Sequence, residues 1–267
     1  TDLDASTGYT IRVKSDCGGE ESEYSPILNA MTACGSITTL PWSENFDTYG
    51  TTAGRFPTCW FRPVLNTSTP YPSIVTAHSV SSPASLRFQS ASATVPTYAI
   101  TPQLDADINT LMVTFQLKAE STTSSGVMHV GVMSNPYDPS TFELVQIITP
   151  TGTTFEEHEV MFSNTTLTGT GNYIAFKHVT NANNYYYWLD DVVVDYIPSC
   201  PKPTNLNVVS SGTDQLEIGW QENGTATSWI VEYRPLTDTN WIVEPASINP
   251  YTITNLDPQT VYMIRVK

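Results

Sequence analysis

Basic residues are scarce. Eleven Lys and Arg stand against 26 Asp and Glu in 267 residues, a formal net charge of −15. No nucleic-acid partner is expected, because phosphate contacts need clustered Lys and Arg. Charge of either sign is thin, at 14% of residues against roughly a quarter in ordinary domains. No apolar run approaches the roughly 20 residues of a membrane-spanning helix, so no membrane insertion is expected. A leader pattern is missing too: the chain opens with acidic residues, not a basic region and an apolar core. With strand-like text at both ends, it reads as a segment of a longer polypeptide.

Catalytic chemistry is equally sparse. His78, His129, His158 and His178 are scattered, outside any H-E-x-x-H or G-x-S-x-G context. His178 shares a strand face with Ile174 and Phe176 and reads as a core histidine. No glycine-rich phosphate loop occurs. The expectation is a protein that is not an enzyme, with no catalytic residues.

What is abundant is period-two alternation. Leu111, Val113, Phe115 and Leu117 point one way, and Met112, Thr114, Gln116 and Lys118 the other. Similar runs occupy 59–65, 84–90, 126–133, 142–148, 158–162, 172–179 and 185–197, separated by polar turns such as STTSSG and PTGTT. Many short strands with polar turns predict an all-β protein, a jelly roll or other β-sandwich. Composition breaks at 32–42 and 197–206 delimit a central domain at 34–199. The second break is Pro-rich, as a stiff linker would be.

The chain also repeats itself. LDASTGYTIRVK at 3–14 matches LDPQTVYMIRVK at 256–267 in eight of twelve positions. A match at one fixed offset marks a repeated unit. Residues 201–267 carry alternating Leu216, Ile218 and Trp220, then Trp229, Val231 and Tyr233, then Leu256 followed six residues later by Tyr262. This segment resembles a fibronectin type III domain without its last strand. The resemblance implies a tyrosine corner, in which the phenol hydroxyl bonds to backbone a few residues upstream. Leu3 and Tyr9 repeat the pair, so residues 1–33 read as the end of a preceding domain of that kind. Truncated immunoglobulin-like pieces thus flank the jelly roll, and residues 200–267 form the second of them. A head that matches what the tail lacks implies head-to-tail self-association of two such chains.

Cys17, Cys34, Cys59 and Cys200 allow three full pairings. On the fibronectin template Cys17 sits at a hairpin tip, and about eight strand residues separate it from Cys34. At about 3.3 Å each, that exceeds the roughly 7 Å limit between bridged Cα atoms. Cys200 is the repeat-equivalent partner of a Cys17-type residue, so Cys34 and Cys59 remain as the internal disulfide. Buried free thiols are the alternative reading. Disulfides imply an oxidising compartment.

LPWSENFDTYG at 40–50, PTCW at 57–60 and YWLDDVVVDY at 187–196 resemble the bacterial cleaved-adhesin family and the related MAM-like jelly rolls. That resemblance implies a secreted or bacterial cell-surface protein that binds carbohydrate or protein, with Ca2+ as a structural cofactor in some members. Strict alternation on the last strand draws one of Asp190 and Asp191 towards the core, where a carboxylate needs a partner. First and last strands of a sandwich often pair, so Glu44 and Asp47 could join Asp190 or Asp191 around calcium, which takes six to eight oxygens. An Asp accepting turn amides is the competing reading. The aromatic run Tyr185, Tyr186, Tyr187 and Trp188 could stack sugars, with Tyr185, Tyr187 and Trp188 the ligand-binding candidates, against ordinary strand composition. The leading expectation is a noncatalytic adhesion segment binding a glycan or a host or matrix protein. A purely structural stalk, or an accessory region of a secreted protease or glycoside hydrolase, are the alternatives.

Overall fold

A computed structural model describes residues 3–5, 7–49, 55–63, 65, 72–89, 95–121, 126–164, 167, 171–179 and 185–267. The fold is all-β, with helix confined to three-residue 3-10 turns among the described residues. The chain divides into two compact units, Thr1–Tyr196 and Ile197–Lys267.

In the first unit, β1 (Gly8–Ile11) and β2 (Leu28–Met31) form an antiparallel hairpin on their own, Tyr9 opposite Ala30. The hairpin's residues are exposed except for a half-buried Tyr9. The Asp4 N–H donates to the Tyr9 hydroxyl at 2.8 Å, while Leu3 is 58% exposed. Corner geometry is therefore present here without a sandwich around it. Cys17 in this segment and Cys200 in the second unit are free and exposed.

The rest of the unit is a two-sheet sandwich. One sheet joins β3 (Trp42–Glu44), β4 (Ser73–Val75), β5 (Ser85–Gln89), β7 (Leu111–Ala119), β10 (Glu156–Met161) and β12 (Tyr186–Tyr196). Its order is β10-β7-β12-β5-β4, with β3 also on β12. The other sheet runs β6-β11-β8-β9, from β6 (Thr97–Ile100), β8 (Val127–Met133), β9 (Glu143–Ile148) and β11 (Tyr173–Val179). On β7 the odd residues from Leu111 to Ala119 are buried and the even ones half-buried, as alternation dictates. They meet Ile174 and Phe176 of β11 and Val130 of β8 in one core. His178 belongs to that face as well, with ring centroids 4.6 Å from Tyr187 and 6.3 Å from Phe88. Among the described residues neither of its ring nitrogens has a partner, so burial lowers its pKa to about 4.

The strand expected at 59–65 does not form. Cys59 has φ +66°, Val64 lies outside the described residues, and Phe61 makes a single bridge to Ile100. Cys34 and Cys59 are joined by a disulfide, Cα atoms 5.5 Å apart. It anchors the chain beside Trp60, whose ring lies 5.6 Å from Phe46 and 6.1 Å from Trp42.

The second unit packs β13 (Thr204–Ser211), β14 (Leu216–Gln221) and β17 (Tyr251–Ile253) against β15 (Trp229–Pro235), β16 (Ile242–Ala246) and β18 (Tyr262–Val266). Ile218, Trp220, Val231, Tyr233 and Leu256 build its core. The Asp257 N–H donates to the Tyr262 hydroxyl at 3.0 Å, again across five residues. Tyr262→Phe removes this bond and should cost about 1 kcal/mol. A urea midpoint for the second unit unchanged from wild type would contradict that assignment.

Candidate functional site

The strand β12 organises both chemically distinctive regions of the first unit. Alternation starts normally: Tyr187 and Leu189 point into the core, and Tyr186 and Trp188 out of the sheet. A bulge between Asp190 and Val193 then shifts the register against β7, with Asp191 at φ +45°. Asp adopts the left-handed region more readily than most residues, and an extra residue in one strand reverses inside and outside. Beyond the bulge the inward residues are Val192 and Val194. Strict alternation along the strand, expected from the sequence, is corrected here: neither aspartate enters the space between the sheets.

Asp190 follows Trp188 on the outer face and is nonetheless fully buried, because the loop at 76–84 lies over it. Its carboxylate accepts the Val80 N–H at 2.7 Å and the Asp191 N–H at 2.9 Å. Asp47 holds the same loop further along, accepting the Ala84 N–H at 3.0 Å. Glu44, brought beside β12 opposite Val192, accepts the Phe46 N–H at 2.8 Å and the Tyr49 hydroxyl at 2.9 Å. Burial pushes Asp190 up to about 7, with Asp191 and Asp47 adding repulsion and the two amides opposing. Burial raises Glu44 as well. Asp191 is half-buried beside the bulge.

Could these carboxylates hold a cation? Among the described residues, no three His, Cys, Asp or Glu side chains gather closely enough to hold a metal ion. The charges acting on Asp190 are all negative, however. The acidic end suits a hard cation only if backbone carbonyls and water complete the shell.

The other end of β12 carries a groove of about 690 Å³ on the outer face of the sheet. Trp188 is paired with Arg87 of β5 on one side and with Lys118 of β7 on the other. Three adjacent strands therefore present a cation, an indole and a cation in one rank. Each of the three follows an inward core residue, Leu86, Leu117 or Tyr187, so parity alone places it outside. Arg87 lies 5.0 Å from the Tyr186 ring and Lys118 5.2 Å from the Trp188 ring, distances at which ring quadrupoles attract cations. The loop pinned by Asp190 brings His78 to the rim, 4.4 Å from Trp188 and edge-on. The Lys118 ammonium stands 3.1 Å from the His78 Nδ1. Burial and the Lys118 charge lower the pKa of His78, while Glu120 raises it. Thr76, Thr153 and Glu120 complete the lining.

Of the three aromatic residues expected to bind ligand, only Trp188 lines the groove. Tyr185 and Tyr187 are turned inward, and their hydroxyls donate to the carbonyls of Ser121 and Gly126. Those two expectations are corrected by strand parity. Tyr186, a member of the same aromatic run, also lines the groove. Arg87, Lys118 and His78 went unrecognised, since Arg87 and Lys118 are distant from Trp188 in sequence and His78 comes from a loop.

Residues 201–267 match the fibronectin type III domain family. No curated protein matches the chain. Among solved structures, a cleaved adhesin domain of Lys-gingipain from Porphyromonas gingivalis is 21% identical, covering 59% of this chain and 99% of that one, with a TM-score of 0.46. A second cleaved adhesin domain of Lys-gingipain is 14% identical over 58% of this chain and 97% of its own, also at 0.46. The tandem CBM22 modules of Paenibacillus barcinonensis Xyn10C are 9% identical, covering 87% of this chain and 85% of theirs, at 0.40.

Proposed function

We propose that the chain is a noncatalytic binding segment of a modular, secreted or surface-exposed bacterial protein. In this reading the sandwich offers its outer groove to a glycan or to a host or matrix protein, and the fibronectin-like unit acts as a spacer. The groove carries the proposal: a concave surface floored by Tyr186 and Trp188 and edged by Arg87, Lys118 and His78 suits recognition more than it suits a stalk. The Cys34–Cys59 disulfide supports an oxidising compartment. No helix among the described residues is long and apolar enough to cross a membrane.

A glycan array probed with the whole chain and with Tyr186→Ala tests the reading. Binding that the substitution weakens at least tenfold is the expected result. An array blank for both, together with no capture of matrix proteins, would favour the stalk.

Asp190 and its carboxylate neighbours favour a second element, a calcium ion held by Asp190 and Asp47 with loop carbonyls. Calcium at ten times its Kd should then stabilise the first unit by about 1.4 kcal/mol, a rise in Tm of roughly 3–6 °C. Asp190→Asn should remove that rise. A melting curve identical in calcium and in chelator would sink this element alone.

A further inference from the structure

We infer that the groove takes an anionic sugar, a pyranose bearing a carboxylate. This rests on the reading of the groove as the binding face and specifies its ligand class.

The first observation is where the few cations are. Between residues 34 and 199 the basic residues are Arg55, Arg62, Arg87, Lys118 and Lys177, against thirteen Asp and Glu. Two of these five meet across one tryptophan in the groove, and His78 stands beside them. Among the described residues neither Arg87 nor Lys118 forms an ion pair with a carboxylate. Glu120 is the one acidic residue of the lining.

The second observation is the donor chemistry of the lining. Arg87 and Lys118 both line the groove, and one partner of the Lys118 ammonium is the His78 Nδ1 at 3.1 Å, out of three donors that an ammonium carries. Guanidinium and ammonium groups can only donate. A ligand complementary to them must be rich in acceptors, and a carboxylate meets that need with a charge-assisted bond that Arg can make bidentate.

The third is how the aromatic rings are covered. His78 sits edge-on to Trp188, and Arg87 and Lys118 approach the Tyr186 and Trp188 rings. The cationic heads thus stand against the rings of the floor and present their charge to whatever the groove holds. At long range the net charge of −15 repels an anion. Attraction is felt only within about a Debye length, near 8 Å at physiological salt, and this makes the site selective for ligands that seat fully.

The test is isothermal titration of the whole chain with trigalacturonate, 3′-sialyllactose and neutral galactotriose at low salt. At least one acidic sugar should bind ten or more times more tightly than galactotriose. The two acidic arms separate a uronate from a sialic acid source. Arg87→Gln and Lys118→Gln should each weaken that binding tenfold or more, while Lys177→Gln, remote from the groove lining, should not. Thermal melting of each variant checks that it is folded, and Lys118→Gln keeps the test usable if Arg87→Gln is not. Galactotriose binding as tightly as the acids, and lost in Tyr186→Ala, would overturn the anionic ligand and leave the groove as a glycan site. Acidic sugars that bind equally well to both groove variants would likewise overturn it. Absence of binding by all three sugars would overturn the inference and count against the glycan reading beneath it.

Discussion

Asp190→Asn, measured in chelator, should gain about 4 kcal/mol on wild type between pH 4 and pH 8. The Asp190 carboxyl titrates at about 7 in the fold and near 3.9 when unfolded. Within that interval the folded protein holds a proton that the unfolded chain has released. Stability is therefore lost as pH rises towards 7, and Asn lacks this loss. His178 runs the other way. Its folded value is about 4 against about 6.5 unfolded, so the unfolded chain takes up the proton first and stability is lost as pH falls from 6.5 to 4. His178→Leu should accordingly gain about 3 kcal/mol on wild type as the pH is lowered through that window. Burial raises Glu44 as well, but it is common to both variants and drops out of the differences. Urea midpoints of the first unit at five pH values supply the measurement. Variant and wild-type profiles that run parallel within 1 kcal/mol would contradict the burial of both groups.

Removing the disulfide is the other large effect. Cys34 and Cys59 are 25 residues apart, and closing a loop of that length in the unfolded chain is worth about 3 kcal/mol. The double substitution Cys34→Ala with Cys59→Ala should lower the Tm of the first unit by roughly 6–12 °C. Reductant added to wild type should reproduce most of that shift. It should leave the second unit unaffected, since its single cysteine, Cys200, is already free. A loss under 1 kcal/mol would mean that Trp60 and Phe46 anchor this segment without help.

Strand parity was readable wherever a strand is long and regular. Leu111 to Ala119 is buried on alternate residues along its whole length. The pairing of a first strand near Glu44 with the last strand is present, while the three-residue strand Ser73–Val75 escaped because so short a stretch carries too few alternations to stand out. The run at 59–65 misled for the opposite reason. It has strand composition, but Pro57 and Pro63 flank a Cys59 at positive φ. The second unit was legible through to its tyrosine hydroxyl, since Leu256 and Tyr262 report a local geometry that the spacing itself encodes. The groove was not. Arg87, Lys118 and Trp188 become neighbours only through the order β5-β12-β7, and the pairing of distant strands is a tertiary fact. The acidic end was half legible: Asp190 and Asp191 stand out as residues, but the bulge that decides where they point depends on one backbone angle.

That bulge has a consequence for how the sheet's surface is partitioned. A single extended segment carries donors for anions at one extremity, around Tyr186 and Trp188, and carboxylates at the other, around Asp190, Asp191 and Asp195. The two chemistries are bridged by the covering loop, which offers His78 to one and its Val80 amide to the other. A metal bound at the acidic extremity would tighten that loop, and a sugar at the opposite extremity would meet a rim already set in place. One loop thus borders both ends of the strand, so a substitution in it that frees the Val80 amide should also displace His78.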